Sequence, residues 1–127
     1  MIKKIIKILL VLCIAGIVGI GFNFYQTEHS KAVITTIKED KINFFYRDDC
    51  KDCKKIFKQV YLHNLINHDV QFINLNQEKN RKYIDEYNIH TVPTFIHENE
   101  AYADTKKEKI KEILKWIIKP YKKRNKD

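Results

Sequence analysis

From Ile8 to Phe22 the chain carries no charged residue, and with Lys7 turning its ammonium back to the surface the apolar stretch reads from Ile5 to Tyr25. About 20 such residues suffice to cross a bilayer. The run is therefore lost to any soluble core, and roughly a hundred residues remain for one small domain. Lys3, Lys4 and Lys7 precede the run and are expected to hold the N-terminus in the cytoplasm, with Phe22, Phe24 and Tyr25 as an interfacial aromatic group on the far side. The expectation is a single-pass protein of the cell membrane with an extracytoplasmic C-terminal domain. The competing expectation is secretion after signal cleavage, but the only small-x-small site past the run, Ser30-Lys31-Ala32, lies far downstream of its end, which favours an uncleaved anchor. A lipoprotein reading at Cys13 fails because a bulky Leu12 precedes it and apolar sequence follows, so Cys13 reads as a small hydrophobe.

The 3 glycines of the protein, Gly16, Gly19 and Gly21, all fall in this run. The domain behind it must turn on Asn, Asp and Pro, with Asn99 and Asn76 the expected substitutes. Hydrophobic residues make up 44% of the chain, enough for a core that needs no disulfide scaffold. The 24 basic against 16 acidic residues leave a net charge of +8, much of it in the N-terminal lysines and in the tail from Lys119 to Lys126. Charge at the two ends, with no aromatic ladder interleaved, describes solvated termini and not a nucleic-acid face.

Periodicity orders the remainder. Ile42 to Tyr46 is a short apolar strand, and Ile56, Phe57, Val60, Tyr61 and Leu65 recur at helical spacing, so an amphipathic helix opens at Cys50 and ends near Asn67. Val70 to Leu75 is a second strand, Glu78 to Tyr87 a polar helix, and Thr94 to His97 a third strand. The last turns at Glu98-Asn99-Glu100 into a fourth strand around Ala101 to Ala103. Ile110, Ile113, Leu114, Ile117 and Ile118 place a closing helix over 106–118, stopped by Pro120. The expected organisation is an anchor over 1–25, a linker or short helix over 26–40, a domain over 41–121 and a basic tail over 122–127.

Cys50 and Cys53 are the only thiols in the folded part. An isolated pair one helical turn apart points to thiol–disulfide exchange and not to scaffolding. The first sulfur sits where a helix begins, facing unpaired N–H groups and the positive end of the dipole, which favours its thiolate. The second, one turn in, is shielded and close enough to close the ring. Half of a zinc site remains an alternative, since two cysteines supply only half of a tetrahedral set.

Strand, Cys-x-x-Cys helix, strand, helix, Thr91-Val92-Pro93-Thr94, hairpin and terminal helix, in that order, resemble the thioredoxin family over about residues 35–121. The resemblance implies an α/β fold, a central mixed sheet of about four strands flanked by helices, here preceded by a transmembrane helix. It implies Cys50 and Cys53 as catalytic residues and Val92 and Pro93 as substrate-binding ones: Pro93 cis and against the thiols, keeping metal from them, with the Val92 backbone bonding an extended substrate. No cofactor and no metal are expected. Anchored single-domain members of this kind look like the disulfide bond formation and bacteriocin accessory proteins of Gram-positive bacteria. The chain also departs from the family. The buried acid six residues before the first cysteine is Phe44, the lysine near it is Phe72, the aromatic before the first cysteine is Asp49, and Lys51-Asp52 stand between the cysteines.

Around Cys50, the helix terminus with Lys51, Lys54 and Lys55 favours the thiolate, while Asp48, Asp49 and Asp52 oppose it. These influences nearly cancel, so the potential is open between about −270 and −120 mV, and the extracytoplasmic location favours oxidation or isomerisation. The expected partners are protein thiols and disulfides, a redox-recycling partner and the membrane, with no nucleic acid and a monomeric chain. The rival class is a non-catalytic thioredoxin-fold accessory module for secretion or bacteriocin export. His90, three residues before Pro93, reads as an exposed loop residue, His29, His63, His68 and His97 as solvated, and Trp116 as an edge-of-core packing residue.

Overall fold

The computed structural model describes residues 1–115. Trp116, the end of the last helix at Ile117 and Ile118, its stop at Pro120 and the basic tail lie outside them. The chain divides into two compact units, Met1–Ser30 and the stretch from Lys31 onward.

The first unit is one helix, α1 (Ile2–Glu28), with no buried side chain. At 1.5 Å per residue its 27 residues reach about 40 Å, beyond the ~30 Å of a hydrocarbon core, so it is long and apolar enough to cross a membrane. Helix continues past Tyr25, so Gln26, Thr27 and Glu28, expected in the linker, are helical. The Thr27 hydroxyl donates to the Asn23 carbonyl at 2.8 Å, the local bond that lets a threonine sit in a helical turn.

In the second unit the elements are β1 (Ile42–Tyr46), α2 (Lys51–Asn67), β2 (Val70–Asn74), a 3-10 turn (Glu78–Arg81), α3 (Lys82–Glu86), β3 (Thr94–His97), β4 (Glu100–Tyr102) and α4 (Lys107–Leu114). The four-stranded sheet has the order β2-β1-β3-β4, β1 and β2 being parallel and the other pairs antiparallel. This is the mixed sheet with flanking helices that the resemblance implies. All 5 residues of β1 are buried, because the strand is central and covered on both faces. On one face Phe44 and Tyr46 meet Phe57 of α2 at ring distances of 6.0 and 5.0 Å. On the other, Phe45 joins Ile73, Leu75, Tyr83, Ile89 and Ile96. Each such aromatic side chain contributes roughly 1.5–3 kcal/mol by leaving water. Ile110, Ile113 and Leu114 bury one stripe of α4, which packs against α2, and Gln59 of α2 donates to the Lys107 carbonyl at 2.9 Å.

A domain without glycine places other residues in the left-handed region. Glu98 (φ 48) and Asn99 (φ 68) form the two-residue turn between β3 and β4, both at positive φ as such hairpins require. His68 (φ 54) ends α2, and Asn88 (φ 52) follows α3. Asn76, expected to substitute for glycine, is not among them and acts through its side chain instead. β4 begins one residue earlier than expected, at Glu100, since the turn consumes only Glu98 and Asn99.

Residues 31–38, expected as linker or short helix, are not helical. They form an extended strap held by side chains of the domain and not by a strand ladder. Gln77 donates to the Lys31 carbonyl at 2.7 Å, Tyr83 to that of Ile34 at 2.7 Å, and Gln71 to that of Thr36 at 3.1 Å while accepting from the Lys38 N–H at 2.9 Å. Asn80 is the centre of this arrangement: its carbonyl accepts from the Ile34 N–H at 2.8 Å, and its amide donates to Ala32 at 3.0 Å and Asn74 at 3.1 Å. These bonds satisfy a side chain that is 0% exposed. The same buried amide interrupts the expected helix over 78–87, which begins as the 3-10 turn around Asn80 and only then becomes α3. Between the bonds, Ile34 and Ile37 pack onto the Phe45 face of the core.

Asn80→Ala leaves a strap N–H and two carbonyls without their partner, each costing about 1–3 kcal/mol when shielded from water. Urea unfolding of the variant should show a loss of about 2–4 kcal/mol in total, the strap carbonyls regaining some water. A loss below about 0.5 kcal/mol would mean that the strap contributes nothing to stability.

Candidate active site

β1 ends at Tyr46, and four residues carry the chain from the sheet to α2. Within that turn the Cys50 N–H donates to the Arg47 carbonyl at 3.2 Å. Cys50 is the N-cap of α2, in extended geometry (φ −88, ψ 121), and its carbonyl takes the first helical bond from the Lys54 N–H at 3.0 Å. Its sulfur does what a capping serine oxygen does: Sγ accepts from the Cys53 N–H at 3.2 Å. The sulfur thus lies at the N-terminus of α2, within reach of a helix-terminal donor.

Cys53 lies one turn into α2 and is 1% exposed, whereas Cys50 is half-buried and both thiols are free. Burial first, then the hydrogen bond with Cys50, pushes the Cys53 thiol up to about 12; the charges of Cys50 and Asp52 add to this, and the Arg47 backbone N–H works against it. The two sulfurs are thus unlike in access.

Facing them is the loop before β3. The Val92-Pro93 peptide bond is cis, Pro93 is buried, and the Val92 carbonyl accepts from Cys50 Sγ at 3.9 Å. The Thr94 hydroxyl donates to the Thr91 carbonyl at 2.6 Å and closes this loop on itself. Cys50, Cys53 and the Val92-Pro93 pair, distant in sequence, therefore meet at one end of the sheet. His90 is exposed on the same loop.

The position six residues before Cys50, where the resemblance implies a buried acid, holds an aromatic stack. Phe44 is 0% exposed and lies over Phe95 at 4.7 Å and 13° and beside Tyr46 at 5.2 Å and 17°. Phe72, its register partner on β2, meets it edge-on at 5.8 Å and 76°. Asp69 is the only buried carboxylate among the described residues, and it follows the far end of α2, where it pairs with His63 at 2.9 Å. His63 is thus not solvated as expected, and neither is His97, whose Nδ1 lies 3.2 Å from the Lys41 carbonyl. No group of three or more His, Cys, Asp or Glu side chains able to hold a metal occurs among the described residues.

The three aspartates near Cys50 are all engaged. Asp52 pairs with Lys55 at 3.3 Å, Asp49 with Arg47 at 3.2 Å, and the Asn76 amide donates to both Asp48 and Asp49. The Asn76 hydrogen bond, and after it the Arg47 charge, outweigh desolvation and hold the Asp49 carboxyl below its usual range. Arg47 and Asn76 are site residues that periodicity does not reveal. The one sequence signal was the unusual Asp48-Asp49 before Cys50, which calls for compensating donors nearby.

A family model described as Thioredoxin matches residues 23–119. The chain belongs to the thioredoxin family. Neither the curated proteins nor the solved structures contain a match.

The asymmetry of the sulfurs has a direct readout. Iodoacetamide at pH 7 should label Cys50 of the reduced protein and leave Cys53 unmodified until the chain is unfolded, as read by peptide mass spectrometry. Because the folded Cys53 thiol is raised from 9.0 to about 12, its contribution to stability is complete below pH 9 and is lost as pH rises from 9 toward 12. Reduced wild-type protein should lose more stability over that window than Cys53→Ala, which lacks the titrating group.

Proposed function

We propose that the chain is a membrane-anchored thiol–disulfide oxidoreductase acting on protein substrates outside the cytoplasm. The observation that carries the reading is Cys50 Sγ as the cap of α2, accepting from the Cys53 N–H and opposed by the Val92 carbonyl beside Pro93. In this reading Cys50 is the nucleophile, Cys53 the resolving thiol, and Val92 and Pro93 the substrate-binding edge.

The Cys50 thiolate attacks one sulfur of a substrate disulfide; that S–S bond breaks, a Cys50–substrate disulfide forms, and the other substrate sulfur departs as thiolate. Cys53 then loses its proton, attacks Cys50 Sγ and releases the second substrate thiol. The cysteine pair ends oxidised and the substrate reduced by the same two electrons. Run in reverse, the oxidised pair gives its disulfide to a substrate dithiol. With phenylalanine in place of the buried acid, the Cys53 proton passes to water or to the departing substrate thiolate. The α2 terminus at Cys50 Sγ and the donors that hold Asp48 and Asp49 suit a pair that donates its disulfide. That direction agrees with an extracytoplasmic site and with the anchored disulfide-forming subgroup of Gram-positive bacteria.

The test is trapping in cells. Cys53→Ala should accumulate mixed disulfides on Cys50 with exported proteins, and Cys50→Ser should show none. A membrane-impermeant maleimide should label Cys50 on intact cells. Purified protein without a reversible two-electron couple between Cys50 and Cys53 would falsify the assignment.

A further inference from the structure

The turn that presents Cys50 is fastened by one side chain from another element. Asn76, just past β2, donates from Nδ2 to Asp48 Oδ1 and to Asp49 Oδ1 at 3.0 Å, and its Oδ1 accepts from Arg47 Nε at 3.0 Å. Arg47 Nη2 closes the ring on Asp49 Oδ2 at 3.2 Å. Asn76 is itself held, since its N–H donates to Oδ1 of the buried Asn74 at 3.0 Å, and the Leu75 N–H between them donates to the Tyr46 carbonyl at 2.8 Å. One neutral amide thus gathers the three charged residues of the turn before Cys50 and ties them to the sheet.

Two consequences reach the sulfur. Carboxylates one and two residues from Cys50 oppose its thiolate, and every donor that they bond offsets part of that opposition. The ring also fixes Arg47, whose carbonyl holds the Cys50 N–H at 3.2 Å and so sets where α2 begins. We propose that Asn76 is a positioning residue for thiol–disulfide exchange: by holding Arg47, Asp48 and Asp49 in one ring it favours the Cys50 thiolate and makes the pair a stronger disulfide donor. The inference deepens the oxidoreductase reading and rests on it.

The experiment compares the full-length reduced wild type with Asn76→Asp and Asn76→Leu. It follows the pH dependence of iodoacetamide alkylation at Cys50, the redox equilibrium with glutathione, and Tm. Asn76→Asp puts a third carboxylate into the ring and should move the alkylation midpoint upward by about one pH unit. The same variant should shift the glutathione equilibrium several-fold toward its own disulfide. Asn76→Leu removes the donors without adding charge and should shift both in the same direction by less, water replacing part of the lost bonding. Wild-type alkylation profiles and glutathione equilibria in both variants would overturn the proposal, with or without a fall in Tm, because a purely structural clamp moves only Tm. A wild type with no reversible Cys50/Cys53 couple would overturn the oxidoreductase reading itself, and the Asn76 role with it.

Discussion

A five-residue strand covered on both faces is the constraint from which the site hangs. Because β1 is central, Phe44 and Tyr46 must pack under α2 while Phe45 packs toward α3, and the strand has no freedom to slide: a shift of one residue would exchange the two faces. The end of β1 therefore has a defined position, and the four residues that follow it can place Cys50 as the cap of α2. The parallel neighbour β2 ends level with β1, Tyr46 facing Asn74, which brings Asn76 alongside that same turn. Precision at the sulfur is inherited from packing further down the sheet.

Filling the interior with aromatic rings has a chemical cost and a chemical use. A buried carboxylate beneath the second thiol would accept its proton, but it would also have to be desolvated in the middle of the sheet. Phe44, stacked between Phe95 and Tyr46, avoids that penalty. The result is a contrast in solvation: the capping sulfur is half-buried and within reach of a helix-terminal donor, and the second is 1% exposed. Near the cysteines negative charge is carried by Asp48, Asp49 and Asp52, where each carboxylate has a partner.

Elements made by side-chain periodicity were legible. β1, α2 and β3 lie within a residue of where alternation and helical spacing put them, because burial decides them and burial leaves a mark on sequence. The Cys50, Cys53 and Pro93 constellation was legible for another reason, the paired motifs of a known family. What stayed hidden depends on polar side chains that bond backbone at long range. Asn80 reads as one more polar residue of a surface helix, yet it is fully buried and organises residues 31–38, to which no periodicity could assign a strap. His63 and Asp69 look like scattered polar residues and turn out to be a largely buried pair. Arg47 and Asn76, separated by a whole βαβ crossover, share no local pattern at all.

The strap also determines how the domain bears load. A strand pulled along its length breaks all its ladder bonds together, in shear; residues 31–38 have no ladder, and their bonds are met one after another at Lys31, Ala32, Ile34, Thr36 and Lys38. Force arriving through the chain before Lys31 would peel these contacts in sequence, each at low force, before any reached the sheet. Residues 31–38 are thus attached by separate bonds that can open one at a time, ahead of β1 and the cap that it positions.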